Sequence, residues 1–560
     1  MTQIHEYVAD AFVAEGVDTV FALMGDANML WLDNMAARPS VRVVHARHEA
    51  AALAMADGWA QSTGKVGICS VTCGPGLTNL VTSLRVAADH RTPLVVLAGD
   101  TPLGSAVHIQ AFDAGALRVL TGVEVLTVRS GAEVAAKVHA AFTTARRDLR
   151  PVVLSLPYDL AEQEIEQPPY VPSRRPAPPA PARPHEVETV RARLAGAERV
   201  LLLIGQGAVS SGSLDLVEQL ADHLGAATGT TVKALGALHD RADDLGVVGG
   251  FSSPEVREQI TACDVVLSLG ASLSWFTTLD GALVTTPRTI QVVDRADAWN
   301  PDYTFDPDVR VVADCRVFLG QLLDALRPDG SRPEAGARRP EPIALPSGLA
   351  AAHPLAEGVV DDGLDPVAVL ATIRRALTSP VQLVLGAGHF WNLIVEMPEP
   401  FDPRRMQMHH GFGAIAQAMP AGIGAAVAEA DLSTIVVEGD GSLMMHIQEL
   451  ETAARSGVSM LVLVIDDAAY GAEFHKLTAH GMHPEESVFG FVDFAGVAEA
   501  FGCRARTPQT LADVDRAVEE YLHDPVLTVV DVRITRRVVA ARHRANYAAQ
   551  REERTVIARH

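Results

Sequence analysis

Cysteine is scarce in this chain. Its five cysteines (Cys69, Cys73, Cys263, Cys315 and Cys503) are odd in number and scattered, and the nearest two are four apart rather than in a Cys-x-x-Cys arrangement. That argues against a disulfide framework and predicts buried free thiols in a reducing compartment. Positive charge is also short. There are 46 Lys and Arg against 69 Asp and Glu, a net charge of −23, which argues against a general nucleic-acid or anionic-membrane binder. No apolar run reaches about 18 residues, and the opening Met-Thr-Gln-Ile-His-Glu lacks the pattern of a secretory signal. We therefore expect a cytoplasmic protein with no membrane partner. Hydrophobic residues are plentiful, at 48% of 560 positions. That is enough for about three domains with large cores.

Proline divides the chain. One Pro-rich stretch runs from Gln167 to Pro184 and another from about Arg327 to Gly348, and proline at that density cannot continue helices or sheets. The expected organisation is a first domain over 1–166, a linker over 167–187, a central domain over 188–326, a linker over 327–362 and a third domain with a C-terminal tail over 363–560. Each block alternates apolar strands with Ala-rich helices, so the fold class expected is α/β, three doubly wound parallel-sheet domains. Strands are expected at 41–45, 67–71, 94–97 and 152–156, then at 199–204, 264–269 and 289–294, then at 381–385. The central block carries no Gly-x-Gly-x-x-Gly. Its Gly205-Gln-Gly207 reads as a tight turn. The tail from Arg533 to His560, with arginines among alanines, reads as a solvated helix or a lid over a neighbouring subunit's site.

The most informative segment is Thr434-Ile-Val-Val-Glu438 followed by Gly439-Asp440-Gly441-Ser442. It reads as a buried strand opening onto a turn. A helix is expected over 443–456, then a second buried strand over 460–465 ending in Asp466-Asp467. Two parallel strands joined by a helix bring both carboxylates to one C-terminal sheet edge, where α/β proteins bind ligands. The glycines let backbone approach a ligand closely, and a helix N-terminus after Ser442 favours phosphate. Carboxylates with phosphate oxygens make a hard oxygen site suited to Mg²⁺.

Gly-Asp-Gly-Ser with an acidic pair ending 27 positions beyond Asp440 resembles the cofactor-anchoring motif of thiamin-diphosphate enzymes. The family resembled includes acetohydroxyacid synthase, pyruvate decarboxylase and benzoylformate decarboxylase. The resemblance implies Asp440, Asp467 and the backbone carbonyl of Ala469 as Mg²⁺ ligands. Gly439, Gly441, Ser442, Tyr470 and Gly471 then lie on the diphosphate side. This chain departs from the family pattern, because both positions of the usual Asn-Asn are Asp. Asp467 therefore adds negative charge beside a diphosphate.

The first block carries the complement. Arg47-His48-Glu49, Ala56-Asp-Gly-Trp-Ala60 and Val71-Thr-Cys-Gly-Pro-Gly-Leu-Thr-Asn79 resemble the pyrimidine-binding domain of the same family. On that match Glu49 hydrogen-bonds the aminopyrimidine and favours the imino tautomer that takes the proton from C2 of the thiazolium. Gly411-Phe-Gly413-Ala-Ile415 resembles the family's turn before a helix. There Gly413 accepts from the cofactor amino group and Ile415 holds the cofactor bent. His389, after Gly386-Ala-Gly388, is a diphosphate contact. The blocks are thus expected to be pyrimidine-binding, central and diphosphate-binding. In the family the two cofactor-binding halves of a site come from different subunits, so a homodimer or homotetramer with interfacial sites is implied.

The resemblance also frames the reaction. Asp26, 23 residues before Glu49, and Glu473, six after Asp467, match catalytic acids of the pyruvate- and indolepyruvate-decarboxylase group. Gln110 matches a glutamine of acetohydroxyacid synthases, and His108 is two residues from it. After Gly270 the chain reads Ala-Ser-Leu-Ser-Trp-Phe, not the flavin-contacting segment of the synthases, so FAD is not expected. The resemblance thus implies an enzyme that decarboxylates a 2-oxo acid to an enamine, which is then protonated to an aldehyde or ligated to an aldehyde or ketone acceptor. Asp26, His108, Gln110 and Glu473 would decide between these fates. A flavin- or nicotinamide-dependent oxidoreductase using the central block, and a non-catalytic cofactor-binding subunit, are the alternatives. His409, His410 and His475 have no role beyond lining the site.

Overall fold

The computed structural model describes residues 1–105, 107–173, 180–295, 305–326, 363–397 and 400–541. The second Pro-rich stretch, residues 174–179 of the first, and the tail beyond residue 541 lie outside these.

Three six-stranded sheets organise the chain. The first holds β1 (Thr19–Ala22), β2 (Arg42–His45), β3 (Gly67–Val71), β4 (Leu94–Asp100), β5 (Glu124–Thr127) and β6 (Pro151–Pro157). The second holds β7 (Val200–Ile204), β8 (Ala227–Thr230), β9 (Asp244–Val247), β10 (Val265–Leu269), β11 (Thr289–Val293) and β12 (Val309–Val312). The third holds β13 (Gln382–Leu385), β14 (Met406–Met408), β15 (Thr434–Gly439), β16 (Leu461–Asp466), β17 (Arg504–Arg506) and β18 (Thr528–Arg533). Strands pair in parallel throughout the first two sheets and among β13, β15, β16, β18 and β17 of the third. The central strands are continuous apolar runs, as parallel sheets covered on both faces require. The α/β class with three parallel sheets is therefore the observed architecture.

Order within the sheets carries more information. The first runs β2-β1-β3-β4-β6-β5 and the third β14-β13-β15-β16-β18-β17, so the two share one topology. The second runs β9-β8-β7-β10-β11-β12, the order of dinucleotide-binding sheets. In that sheet the loops after β7 and β10 close on each other. Gly207 N donates to the Gly270 carbonyl at 3.0 Å, and a Cβ on Gly205 would strike the same oxygen.

The chain divides into two compact units. One contains the first and third sheets, and the other the second sheet. Within the former, the helices Glu49–Thr63 and Ala418–Ala428 cross at their small residues. A Cβ on Gly58 would strike the Ala421 carbonyl, and one on Gly424 the Met55 carbonyl. One apolar core runs from Leu53, Met55 and Trp59 to Met419, Ile423 and Val436.

Two local expectations are corrected. The helix expected over 443–456 is broken: a single turn spans Asp440–Leu443, and a second helix starts at Glu449. The interruption lets Glu449 turn inward, where its carboxylate accepts from Arg47 N at 3.1 Å and from Thr452 at 2.7 Å. The helix Pro184–Ala195 begins inside the first Pro-rich stretch, because proline suits the first helical position. All five cysteines are buried and free. Burial pushes the Cys263 and Cys503 thiols up to about 11. Among the described residues no helix is long and apolar enough to cross a membrane.

Candidate active site

β15 ends at Gly439, and Asp440 opens the short helix that follows. β15 pairs with β16 up to Gly439 opposite Ile465, so Asp440 and Asp466-Asp467 leave adjacent strands at one edge. Asp440 and Asp467 are each 7% exposed, and Asp466 is fully buried. Burial, then the charges of Asp467 and Asp466, push the Asp440 carboxyl up to about 8. Burial raises Asp467 to about 7, and burial with the Asp466 charge does the same to Asp531 on β18. Asp466 and Asp531 are buried side by side, and Arg533 Nε lies 3.4 Å from Asp531 Oδ2. Arg533 and Arg536 offset only part of this crowded set, since Asp440, Asp467 and Asp531 all remain raised, and an oxygen-seeking divalent cation would offset the rest.

The loop after β16 is built to present these groups. Ala468 takes a left-handed conformation (φ 56°). Asp466 Oδ1 then accepts from Ala468 N at 2.9 Å, and Asp467 Oδ1 from Ala469 N at 3.1 Å. Tyr470 N donates to Ser487 O, and Phe489 N to Ala468 O, so neither bond uses the Ala469 carbonyl. Arg536 donates to the Asp467 carbonyl. Gly471 is required by close approach: a Cβ there would strike Asp467 Oδ2. A Cβ on Gly441 would lie 2.7 Å from the Tyr470 ring. His389, 6% exposed after the β13 turn, packs on His475 with ring centroids 4.2 Å apart and planes tilted by 50°. Its Cβ is 3.5 Å from where a Gly471 side chain would start. His389, Gly471, Asp467, Asp440 and Gly441 are thus neighbours. Ser442 Oγ accepts from Ala416 N at 2.6 Å and ties this edge to the Gly411–Gly413 turn. Gly413 (φ 67°) is exposed with open space beside it, and Ile415 is only part-buried.

Glu49 is the first residue of its helix, with His48 as the N-cap accepting from Ala50 N at 3.1 Å. The Glu49 side chain is nearly buried and accepts from Asn79 Nδ2 at 2.9 Å. His48 packs on His446, whose pKa is lowered to about 4 by burial and by the His48 charge. Asp26, His108 and Gln110 meet in a cavity of about 310 Å³ that Asn28, Cys73 and Tyr158 also line. Cys73 Sγ donates to Gln110 Oε1 at 3.2 Å, and His108 Nδ1 accepts from Gln110 N at 3.1 Å. Asn28 holds the Asp26 loop by donating to Ser70 Oγ and accepting from Gly25 N. Glu473 stands apart from that cavity, exposed in the first turn of the helix Gly471–Ala479.

Asn28, Asn79, Asp531 and Arg536 escape sequence reasoning. The Gly-Asp and Gly-Pro-Gly segments flag the two asparagines in hindsight. Nothing local flags Asp531 or Arg536, which reach the loop from β18 and beyond.

Comparison with known proteins shows the family. Residues 2–117 match the N-terminal TPP binding domain of thiamine pyrophosphate enzymes, residues 187–322 their central domain and residues 387–532 their C-terminal TPP binding domain. The chain is 27% identical to an acetolactate synthase large subunit of Parasynechococcus marenigrum, over 94% of this chain and 86% of that protein. It is 26% identical to the acetolactate synthase isozyme 3 large subunit of Escherichia coli, over 89% and 88%. A thiamine diphosphate-dependent 4-hydroxybenzoylformate decarboxylase of Rhodococcus jostii has the same fold, with TM-score 0.80, 21% identity and coverage of 95% of this chain and 99% of that one. With three family domains in order along one chain, this protein belongs to the thiamin-diphosphate-dependent enzymes.

Proposed function

We propose that this enzyme decarboxylates a 2-oxo acid and either releases the aldehyde or joins the remaining fragment to a second carbonyl compound. The observation that carries the reading is the cation-poor carboxylate edge of Asp440 and Asp467, present in the same chain as a near-buried, hydrogen-bonded Glu49. Bound thiamin diphosphate would supply the carbon nucleophile and the electron sink for loss of CO₂. Asp440, Asp467 and the Ala469 carbonyl would hold Mg²⁺ against its diphosphate, with Gly439, Gly441, Ser442, Tyr470, Gly471 and His389 around it. Glu49 would hold a proton at the pyrimidine ring, kept in place by Asn79. Gly413 would accept from the pyrimidine amino group and Ile415 would set the cofactor's bend.

The substrate-facing groups are Asp26, His108 and Gln110, joined by Glu473. Protonation to an aldehyde needs an acid within hydrogen-bond reach, whereas ligation needs room for an acceptor and exclusion of water. Glu473 and the Asp26 cavity are separate within one chain, which supports a dimer in which each subunit completes the other's site. The run Ala-Ser-Leu-Ser-Trp-Phe after Gly270, in place of the synthases' flavin-contacting segment, supports activity without FAD.

The test is a product assay with thiamin diphosphate, Mg²⁺ and a panel of 2-oxo acids, with and without an aldehyde acceptor. CO₂ with free aldehyde marks a decarboxylase, and CO₂ with a hydroxyketone marks a carboligase. No CO₂ from any substrate, with cofactor bound, refutes the reading.

A further inference from the structure

Three buried side chains from separate elements converge beneath the helix that carries Glu49. Asp57 lies in that helix, His90 ends the helix Val81–His90, and His409 follows β14. Their side chains are 3%, 2% and 0% exposed. His90 Nδ1 is 2.8 Å from Asp57 Oδ2, and His409 Nδ1 is 3.7 Å from the same oxygen. One donor atom from each residue lies within 4.8 Å of the other two.

The surroundings fix which nitrogen of His409 faces Asp57. Gln407 Nε2 donates to the Gly58 carbonyl at 3.1 Å and to Ser62 Oγ at 2.8 Å. That commits Gln407 Oε1 to His409 Nε2, 3.1 Å away. An amide oxygen only accepts, so His409 Nε2 carries the hydrogen and Nδ1 is the nitrogen that faces the carboxylate, with a lone pair to offer a metal when the ring is neutral. A separation of 3.7 Å is too long for a hydrogen bond. It is close to the spacing of about 3.4 Å between two ligand atoms that share one tetrahedral zinc. The shorter contact to His90 is a hydrogen bond that a metal would replace by opening it roughly half an ångström.

An outer layer holds the carboxylate as well. Gln61 Nε2 donates to Asp57 Oδ1 at 2.9 Å. Without a metal, burial pushes the Asp57 carboxyl up, but the charge and hydrogen bond of His90 and the charge of His409 outweigh it; a bound cation would take the place of those ring protons. Amides that orient both the imidazole and the carboxylate are what metal sites use as their outer layer.

We propose that Asp57, His90 and His409 form a buried site for a divalent transition metal, with zinc as the best match to two imidazoles and one carboxylate. Its ligand chemistry separates it from the all-oxygen set at Asp440 and Asp467. Such a metal would pin the Glu49 helix to the segment leading into the Gly413 turn, and its binding energy would add to fold stability.

The full chain, held in excess Mg²⁺, is loaded with Zn²⁺, desalted and assayed by plasma mass spectrometry. About one zinc per chain is expected in the wild type and in Asp440→Asn, and less than roughly a tenth of that in His409→Gln and His90→Gln. Wild type that holds no zinc, or His409→Gln that holds as much as wild type, overturns the proposal. Should the variants fail to fold, Co²⁺ loading of the wild type decides. Intense visible bands of a four- or five-coordinate nitrogen–oxygen site are expected, and a spectrum no stronger than that of the aquo ion overturns it.

Discussion

Asn79 Nδ2 donates to Glu49 Oε2 at 2.9 Å, joining the end of the Gly-Pro-Gly loop to the first residue of the neighbouring helix. A hydrogen bond onto a carboxylate is worth about 1.5–3 kcal/mol. This one fixes the position of the residue expected to relay a proton. Glu49→Gln should lower kcat by roughly a hundredfold or more with an unchanged melting curve. Asn79→Ala should cost about tenfold, through orientation alone. Cofactor C2 proton exchange followed by NMR should slow in the same order. Near-normal turnover in Glu49→Gln would remove Glu49 from the relay.

Metal removal tests the opposite edge. Chelation of Mg²⁺ should release thiamin diphosphate, and Asp440→Asn should weaken cofactor binding by about tenfold or more. Asp467→Asn places the family's usual residue at this position. It should retain cofactor binding and raise the melting temperature of the cofactor-free protein, because one carboxylate is taken out of a crowded set. Titration calorimetry in Mg²⁺ and in chelator reads the binding effects, and a thermal melt reads the stability. Cofactor binding indifferent to chelator would contradict the assignment.

Two glycines separate crowding from backbone strain. Gly471→Ala drives a methyl into Asp467 Oδ2, whereas Gly413→Ala meets open space and pays only for its left-handed φ of 67°. The second should cost about 1–2 kcal/mol of stability. The first should abolish cofactor binding at stability near wild type. Equal effects on binding would show that crowding at Asp467 does not matter.

His446 gives a pH signature. Its folded pKa of about 4 is below the ordinary 6.5, so the unfolded chain takes up the proton first as pH falls. Stability is full above about pH 6.5 and is lost progressively as pH falls toward 4, by about 2 kcal/mol at pH 5. His446→Gln should therefore flatten the melting temperature between pH 7 and pH 5. A slope identical to wild type would exclude His446 as its source.

Glu473 is exposed in a single chain, and its expected role is at a completed site. Glu473→Gln should slow product release after decarboxylation while CO₂ formation in the first turnover is spared. Rapid-quench analysis separates the two steps. An unchanged release rate would count against an acid role.

The parts legible in the sequence are those with local causes. Continuous apolar runs mark β3, β4, β7, β10 and β15, and the Gly-Asp-Gly and acidic-pair spacing locates Asp440 and Asp467. Several other strands carry no such mark. β8 reads Ala-Thr-Gly-Thr and β17 Arg-Ala-Arg, and neither has a pattern apart from the neighbour that pairs with it. The break between Leu443 and Glu449 leaves no local mark, and the Arg47 N–H that meets the inturned Glu449 carboxylate lies far back in the chain. The same holds for Gln407, whose grip on Gly58 and Ser62 spans more than three hundred residues. Local pattern finds the strand ends that present the chemistry, but not the residues that brace them.

The glycine-to-backbone contacts at Gly58 and Gly424 leave the two small-residue helices no clearance. One of them begins at Glu49, and the other follows the Gly413 turn. A single added methyl at either crossing would act as a shim, tilting both ends at once. The pair is thus packed backbone to backbone, and it couples the start of the Glu49 helix to the element that follows the Gly413 turn. By contrast, in the segment around His108 and Gln110, Ile109 is 99% exposed.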